Sequence, residues 1–206
     1  MPLSAASLQH EKASFLKKFD LEPKQAGWLD KGLRDAMRAS ARRGHLYRPG
    51  TRQAERKLVR REWSLGLKRL AYLYAANGST IATQAQFETD LMALRAFMNT
   101  NHGDYFGTVA VNGYPPGFRI AHAQKSLSLI LKHFWCNGEI DEPPCCPVDR
   151  RILMIAGVTG SEAKWTDLDT LDAYHKKLER LRTASANFVA QPISLAQWEL
   201  YAFNHI

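Results

Sequence analysis

Cysteine is scarce, and the three present fall in no useful pattern. Cys136, Cys145 and Cys146 are an odd number, which excludes a complete disulfide framework. Their spacing is not that of a zinc ribbon, and they are too few for a four-cysteine iron–sulfur cluster. Adjacent cysteines such as Cys145 and Cys146 bond each other only under strain. The expectation is therefore reduced, partly buried thiols, with no metal and no cofactor. Long apolar runs are also missing. No window approaches 18 uninterrupted apolar residues, which argues against a membrane span. The opening "MPLSAASLQHEKASFLKKFD" has no apolar core of a secretion signal. A cytoplasmic protein is expected. Repeats and low-complexity tracts are absent as well, and no long parallel sheet is expected.

What remains is helical periodicity and positive charge. The 206 residues are 45% hydrophobic, enough for a real core, and carry a net charge of +8. That charge is concentrated. Between Arg34 and Arg69 stand twelve Lys or Arg against three acids, Asp35, Glu55 and Glu62. The rest of the chain is close to neutral. A focused, arginine-rich surface suits a polyanion, and nucleic acid is the expected partner. Arg56, Arg60 and Arg61 are the candidates for contact there.

The pattern predicts an all-α chain. One helix is expected over about 5–19, and a second opening at Pro23 with Trp28, Leu29, Leu33 and Met37 on one stripe. A long basic helix follows over about 52–76, with Leu58, Leu65, Leu70 and Leu73 among its apolar positions. Asn77-Gly78 ends it, and Thr83 with Gln86 forms a capping box for the next. Residues 101–119 are the one long irregular stretch, with "TVAV" as a short extended piece. Near the end Thr166 is expected to cap one helix, and Ser194 with Gln197 the last.

The segment "IAHAQKSLSLILKHFWCNG" is the most informative helix. Ile120, Ala123, Leu127, Ile130, Leu131 and Phe134 share one face. The opposite face carries His122, Lys125, Leu129, Lys132 and, at its margin, His133, so it is expected to meet solvent or a cleft. Gly138 is a good stop. After a proline-rich return, Asp149 in "CCPVDRRILMIAG" sits where an N-cap belongs. A capping carboxylate is held ionised and rigid by helix amides. A lysine on one helix and an aspartate capping the next is thus the candidate catalytic pair.

This order of "AHAQKSLSLILKHF" and "CCPVDRRILMIAG" resembles the catalytic half of the helix-hairpin-helix DNA glycosylases. That superfamily includes endonuclease III and the adenine and 8-oxoguanine glycosylases. The resemblance covers about residues 113–157. Departures are visible. "YPPGFRIAHAQK" has one glycine, Gly117, where the family hairpin reads Leu-Pro-Gly-x-Gly, so the hairpin is degenerate. The interval between Lys125 and Asp149 is lengthened by "NGEIDEPPCC", closer to the archaeal 8-oxoguanine branch, and the cluster cysteines of endonuclease III are absent. The chain also resembles bacterial antiphage glycosylases that strip hypermodified bases from viral DNA.

The resemblance implies two helical lobes, about 1–100 and 101–206, within one compact domain and with a cleft between them. It implies excision of a modified base from double-stranded DNA, with Lys125 and Asp149 catalytic and possible strand cleavage through Lys125. Arg119, His122, Gln124 and Lys132 are then expected to face DNA, and Trp135, Trp165, Trp198 and Phe203 to be candidates for the base pocket. Two readings compete: a non-catalytic basic nucleic-acid-binding module, and a nuclease with metal-bound carboxylates, for which no dense carboxylate cluster is visible.

Overall fold

The computed structural model describes residues 4–41, 46–76, 82–108, 115–188 and 193–205. Eight α-helices run in order: α1 (Ala5–Lys18), α2 (Trp28–Ala41), α3 (Gln53–Ala76), α4 (Gln84–His102), α5 (Ile120–Asn137), α6 (Arg150–Ile155), α7 (Leu171–Phe188) and α8 (Leu195–Asn204). Two short 3₁₀ turns, Gly103–Tyr105 and Gly160–Ala163, sit between them. The only β pairing among the described residues is one antiparallel bridge, Tyr47 with Phe106. The fold is all-α, as the periodicity predicts. No helix among the described residues is long and apolar enough to cross a membrane.

Caps set most of the boundaries. Ser4, Thr83 and Ser194 each accept the amide three residues on, opening α1, α4 and α8. Gly138, at φ 77°, closes α5 in the left-handed conformation. Two boundaries differ from expectation. The helix expected at Pro23 begins at Trp28, because Lys24 and Gly27 both take positive φ and hold residues 21–27 in a turn. Asn137 fixes that turn by accepting the Lys24 amide at 2.9 Å. The cap of α7 is Thr170, whose hydroxyl accepts the Ala173 amide, and not Thr166. Asn77-Gly78, and "TVAV" after Thr108, lie outside the described residues.

The core is built around α5. All eighteen of its residues are buried, and α1, α2, α3 and α4 pack against it. A helix of mixed polarity is buried on every side only where neighbours satisfy its polar face. Most of that face is satisfied here: Trp63 of α3 donates to Ser126 and α5's lysines find carboxylates, while the ring nitrogens of His133 are buried without a hydrogen-bond partner. The apolar face of α3 is also corrected. Val59, Trp63, Leu67, Ala71 and Tyr74 are buried, whereas Leu58, Leu65 and Leu73 are 43–50% exposed. On the helical wheel these leucines lie opposite the Trp63 ladder, beside Arg61 and Arg69.

Candidate active site

The face of α5 opposite its apolar stripe does not meet open solvent. Lys125 and Lys132 stand seven residues apart, two turns on one side of the helix, with Leu129 between them. All three line a cavity of about 270 Å³. Pro147, Asp149, Arg150 and Arg151 enter from the return loop and the start of α6. Glu199 and Phe203 come from α8, Trp165 from the loop before α7, and Phe19 from just after α1.

Lys125 and Asp149 meet there. The Lys125 ammonium donates to Asp149 Oδ2 in a close ion pair, with Lys125 only 7% exposed. Asp149 Oδ1 accepts the Ile152 amide at 3.0 Å, so one carboxylate both caps α6 and pairs with α5. The neighbouring residues repeat the match. Gln124 Nε2 donates to the Val148 carbonyl at 2.8 Å, and its Oε1 accepts the Val148 amide at 3.1 Å. Gln124-Lys125 thus docks on Val148-Asp149 through backbone and side chain at once. Burial pushes the Asp149 pKa up, but the Lys125 charge and hydrogen bond, the Ile152 amide and the Lys132 charge outweigh it. The carboxyl is held below its ordinary value.

A second buried ion pair lies alongside. Lys132 Nζ donates to Glu199 Oε2 at 2.6 Å, with both residues 2% exposed. The ammonium sits 4.6 Å from the Phe15 ring centre and 4.4 Å from that of Phe203. For Glu199 burial is the largest influence and, against Lys132, it raises the pKa. Four basic side chains and two carboxylates therefore line the cavity. Of these, Arg150 and Arg151 are exposed. Lys18 does not line the cavity but sits 5.0 Å from the ring centre of Phe203; partial burial and the charges of Arg151 and Lys132 push its pKa down.

Several expected contact residues have other positions. Arg119 is buried, donating to the Thr166 and Pro115 carbonyls and lying against His122. His122 is also buried, and burial, then Arg119, drives its pKa well below 6.5. Gln124 is committed to Val148. These three are corrected to internal structural groups, because no surface of theirs is open to DNA. Lys132 is corrected likewise, from an exposed contact to the cavity's buried ion pair. Trp135 and Trp198 are core residues that do not line the cavity; Phe203 and Trp165 do. The Trp165 ring centre is 5.9 Å from Lys125 Nζ. Arg56, Arg60 and Arg61 are exposed on α3.

The thiols are buried and free. Burial raises the pKa of Cys136 and Cys145 to about 12 and pushes that of Cys146 well above its ordinary value, so none is primed as a nucleophile.

Sequence reasoning missed Glu199, Phe19, Arg150 and Arg151. Glu199 had a signal, as the one charged residue of "LAQWELYAFN"; Arg150-Arg151 had another, directly following the cap aspartate. No protein-family model matches the chain, and no curated protein and no solved structure matches it.

Proposed function

We propose that this protein is a DNA glycosylase that takes a modified base, flipped out of double-stranded DNA, into the α5–α6–α8 cavity and cuts its glycosidic bond. The observation that carries the reading is the Lys125–Asp149 ion pair on the wall of a cavity that also holds aromatic faces. The resemblance to helix-hairpin-helix glycosylases supports the same pair, and in that reading residues 1–100 and 101–206 form the two lobes flanking the DNA.

The cavity's volume lies just below the range of about 300–1,000 Å³ usual for small-molecule sites, which suits a single base. Phe203 and Trp165 offer ring faces for stacking. Lys132 and Glu199 offer a donor and an acceptor to the edge of the base. Arg150 and Arg151, exposed at the cavity, suit the flanking phosphates. As the bond to the base breaks, the sugar gains oxocarbenium character, and the fixed Asp149 anion stabilises it. The Lys125 amine attacks C1′ once it gives up a proton, for which Asp149 Oδ2 is the nearest acceptor. The resulting Schiff base permits strand cleavage. Where water attacks instead, an abasic site remains.

The test uses duplexes carrying 8-oxoguanine, 5-hydroxymethylcytosine or its glucosylated form, together with modified phage DNA. Free base is measured by mass spectrometry, and the covalent intermediate by borohydride trapping. Lys125→Ala abolishes the trapped adduct, and Asp149→Asn slows base release by at least about a hundredfold. Full activity in both variants on a substrate the wild type cleaves would refute the site assignment.

The exposed basic side chains of α3 favour a second reading, a non-catalytic nucleic-acid-binding module, since no residue of α3 lines the cavity. In that case the same preparations release no base. Replacing Arg56, Arg60 and Arg61 by alanine then lowers the salt dependence of duplex binding by about 0.9 in log–log slope for each phosphate no longer neutralised. Binding by the Lys125 and Asp149 variants stays at the wild-type level.

A further inference from the structure

Two carboxylates share the cavity, and their surroundings differ. Asp149 is anchored by a helix amide and by Lys125, which commit it to the anionic form. Among the described residues Glu199 has no amide partner; it accepts from Lys132 at 2.6 Å. That lysine is enclosed between Phe15 and Phe203, and the second of these rings is itself a cavity wall. Burial raises the pKa of Glu199, whereas the Lys125 charge and the Ile152 amide, against burial, lower that of Asp149. Carboxylates driven apart within one site divide the labour between an acid and a fixed anion.

We propose that the Lys132–Glu199 pair is the general acid that protonates the departing base. The proposal rests on the glycosylase reading. It defines the preferred substrate as a base that leaves as a neutral heterocycle, protonated on a ring nitrogen or carbonyl oxygen at the edge facing α8. In the step, the C1′–N bond breaks and its electron pair stays with the base. One proton passes to the base from Lys132 Nζ or Glu199 Oε2. C1′ gains a bond to Lys125 Nζ or to a water oxygen, and the proton shed by that nucleophile goes to Asp149. Solvent returns a proton to the pair.

The experiment is a leaving-group series. Duplexes carry one cytosine analogue each, from 5-hydroxymethylcytosine to 5-fluorocytosine, whose ring substituent makes N1 a progressively better leaving group. Release is compared for the wild type, for Glu199→Gln and for the Lys132→Met/Glu199→Met double variant. The double variant leaves no unpaired buried charge, so it carries the comparison if Glu199→Gln proves too unstable to assay. The expected result is a loss of about a hundredfold or more on the poorest leaving group, shrinking to under about tenfold on the fluorinated base. A loss of equal size along the series, or no loss, overturns the proposal and leaves the glycosylase reading standing. Release of no base by the wild type, from these duplexes or from modified phage DNA, overturns both.

Discussion

At the scale of single residues, the site is two adjacent pairs meeting: Gln124-Lys125 on α5 against Val148-Asp149 before α6. The lysine and aspartate were legible because each obeys a local rule. Lys125 falls off the apolar stripe, and Asp149 follows a proline-rich loop and opens an apolar run. The role of Gln124 was not legible, because a side chain that clamps a distant backbone leaves no periodic trace. His133 makes a sharper case. It lies within 5.0 Å of the Phe15 and Phe19 ring centres, and both of its ring nitrogens are buried without a hydrogen-bond partner. Burial, then the Lys132 charge, lowers its pKa from 6.5 to about 3. The folded state therefore holds the neutral ring, and the folded pKa lies below the unfolded one. The resulting stability is complete above pH 6.5 and is lost as pH falls from there toward 3. The full shift corresponds to about 5 kcal/mol. In acid titration followed by circular dichroism, His133→Leu unfolds at lower pH than the wild type. An unchanged or higher midpoint would show that another group controls acid unfolding.

At the scale of elements, α5 depends on how it is entered and left. Gly138 leaves it at φ 77° with open space around a would-be Cβ, so Gly138→Ala costs only backbone strain, about 1–2 kcal/mol. Gly117, two residues before the Arg119 cap, is different. Its φ is +81°, and an added Cβ would lie 2.8 Å from Asn99 Oδ1. That oxygen accepts the Phe118 amide at 2.8 Å, while Asn99 Nδ2 donates to the Phe118 carbonyl at 2.9 Å. Gly117→Ala therefore adds the loss of these bonds, about 1 kcal/mol each, to the strain. Urea unfolding should rank Gly117→Ala clearly below Gly138→Ala in stability; equal losses would mean that Asn99 yields freely. The single glycine of "YPPGFR" marks a turn locked to α4. The leucines of α3 teach the converse lesson. Leu58, Leu65 and Leu73 form as regular a stripe as Val59, Trp63 and Leu67, yet the face that turns inward is the one carrying Trp63, which reaches Ser126.

At the scale of the whole molecule, the cavity joins parts of the chain that sequence leaves far apart. Phe19 follows the first helix, Lys125 and Asp149 come from the middle, and Glu199 and Phe203 from the last helix. Glu199 escaped the sequence reading because helical periodicity assigns faces to one helix at a time and does not say which faces meet. The closure depends on α1 gripping the end of α8. Glu11, though acidic, is buried; its carboxylate accepts from Asn204 Nδ2 at 2.7 Å and His205 Nε2 at 2.9 Å. Lys18 donates to the Phe203 and Asn204 carbonyls at 2.8 and 2.9 Å, where a cation also favours the helix C-terminus. Glu11→Ala removes two hydrogen bonds to a buried carboxylate, worth about 2–3 kcal/mol together. In a chain of this size that lowers Tm by about 4–12 °C. The loss falls on the cavity before it reaches the α3 surface, because Phe203 and Glu199 sit on the helix that is released. If the protein is the glycosylase proposed above, base release drops in Glu11→Ala at a temperature where circular dichroism still reports a folded protein, while duplex binding stays at the wild-type level. Parallel loss of base release and duplex binding would mean that α8 and α3 are not separable, and that the clasp holds the whole fold instead of one wall of the cavity.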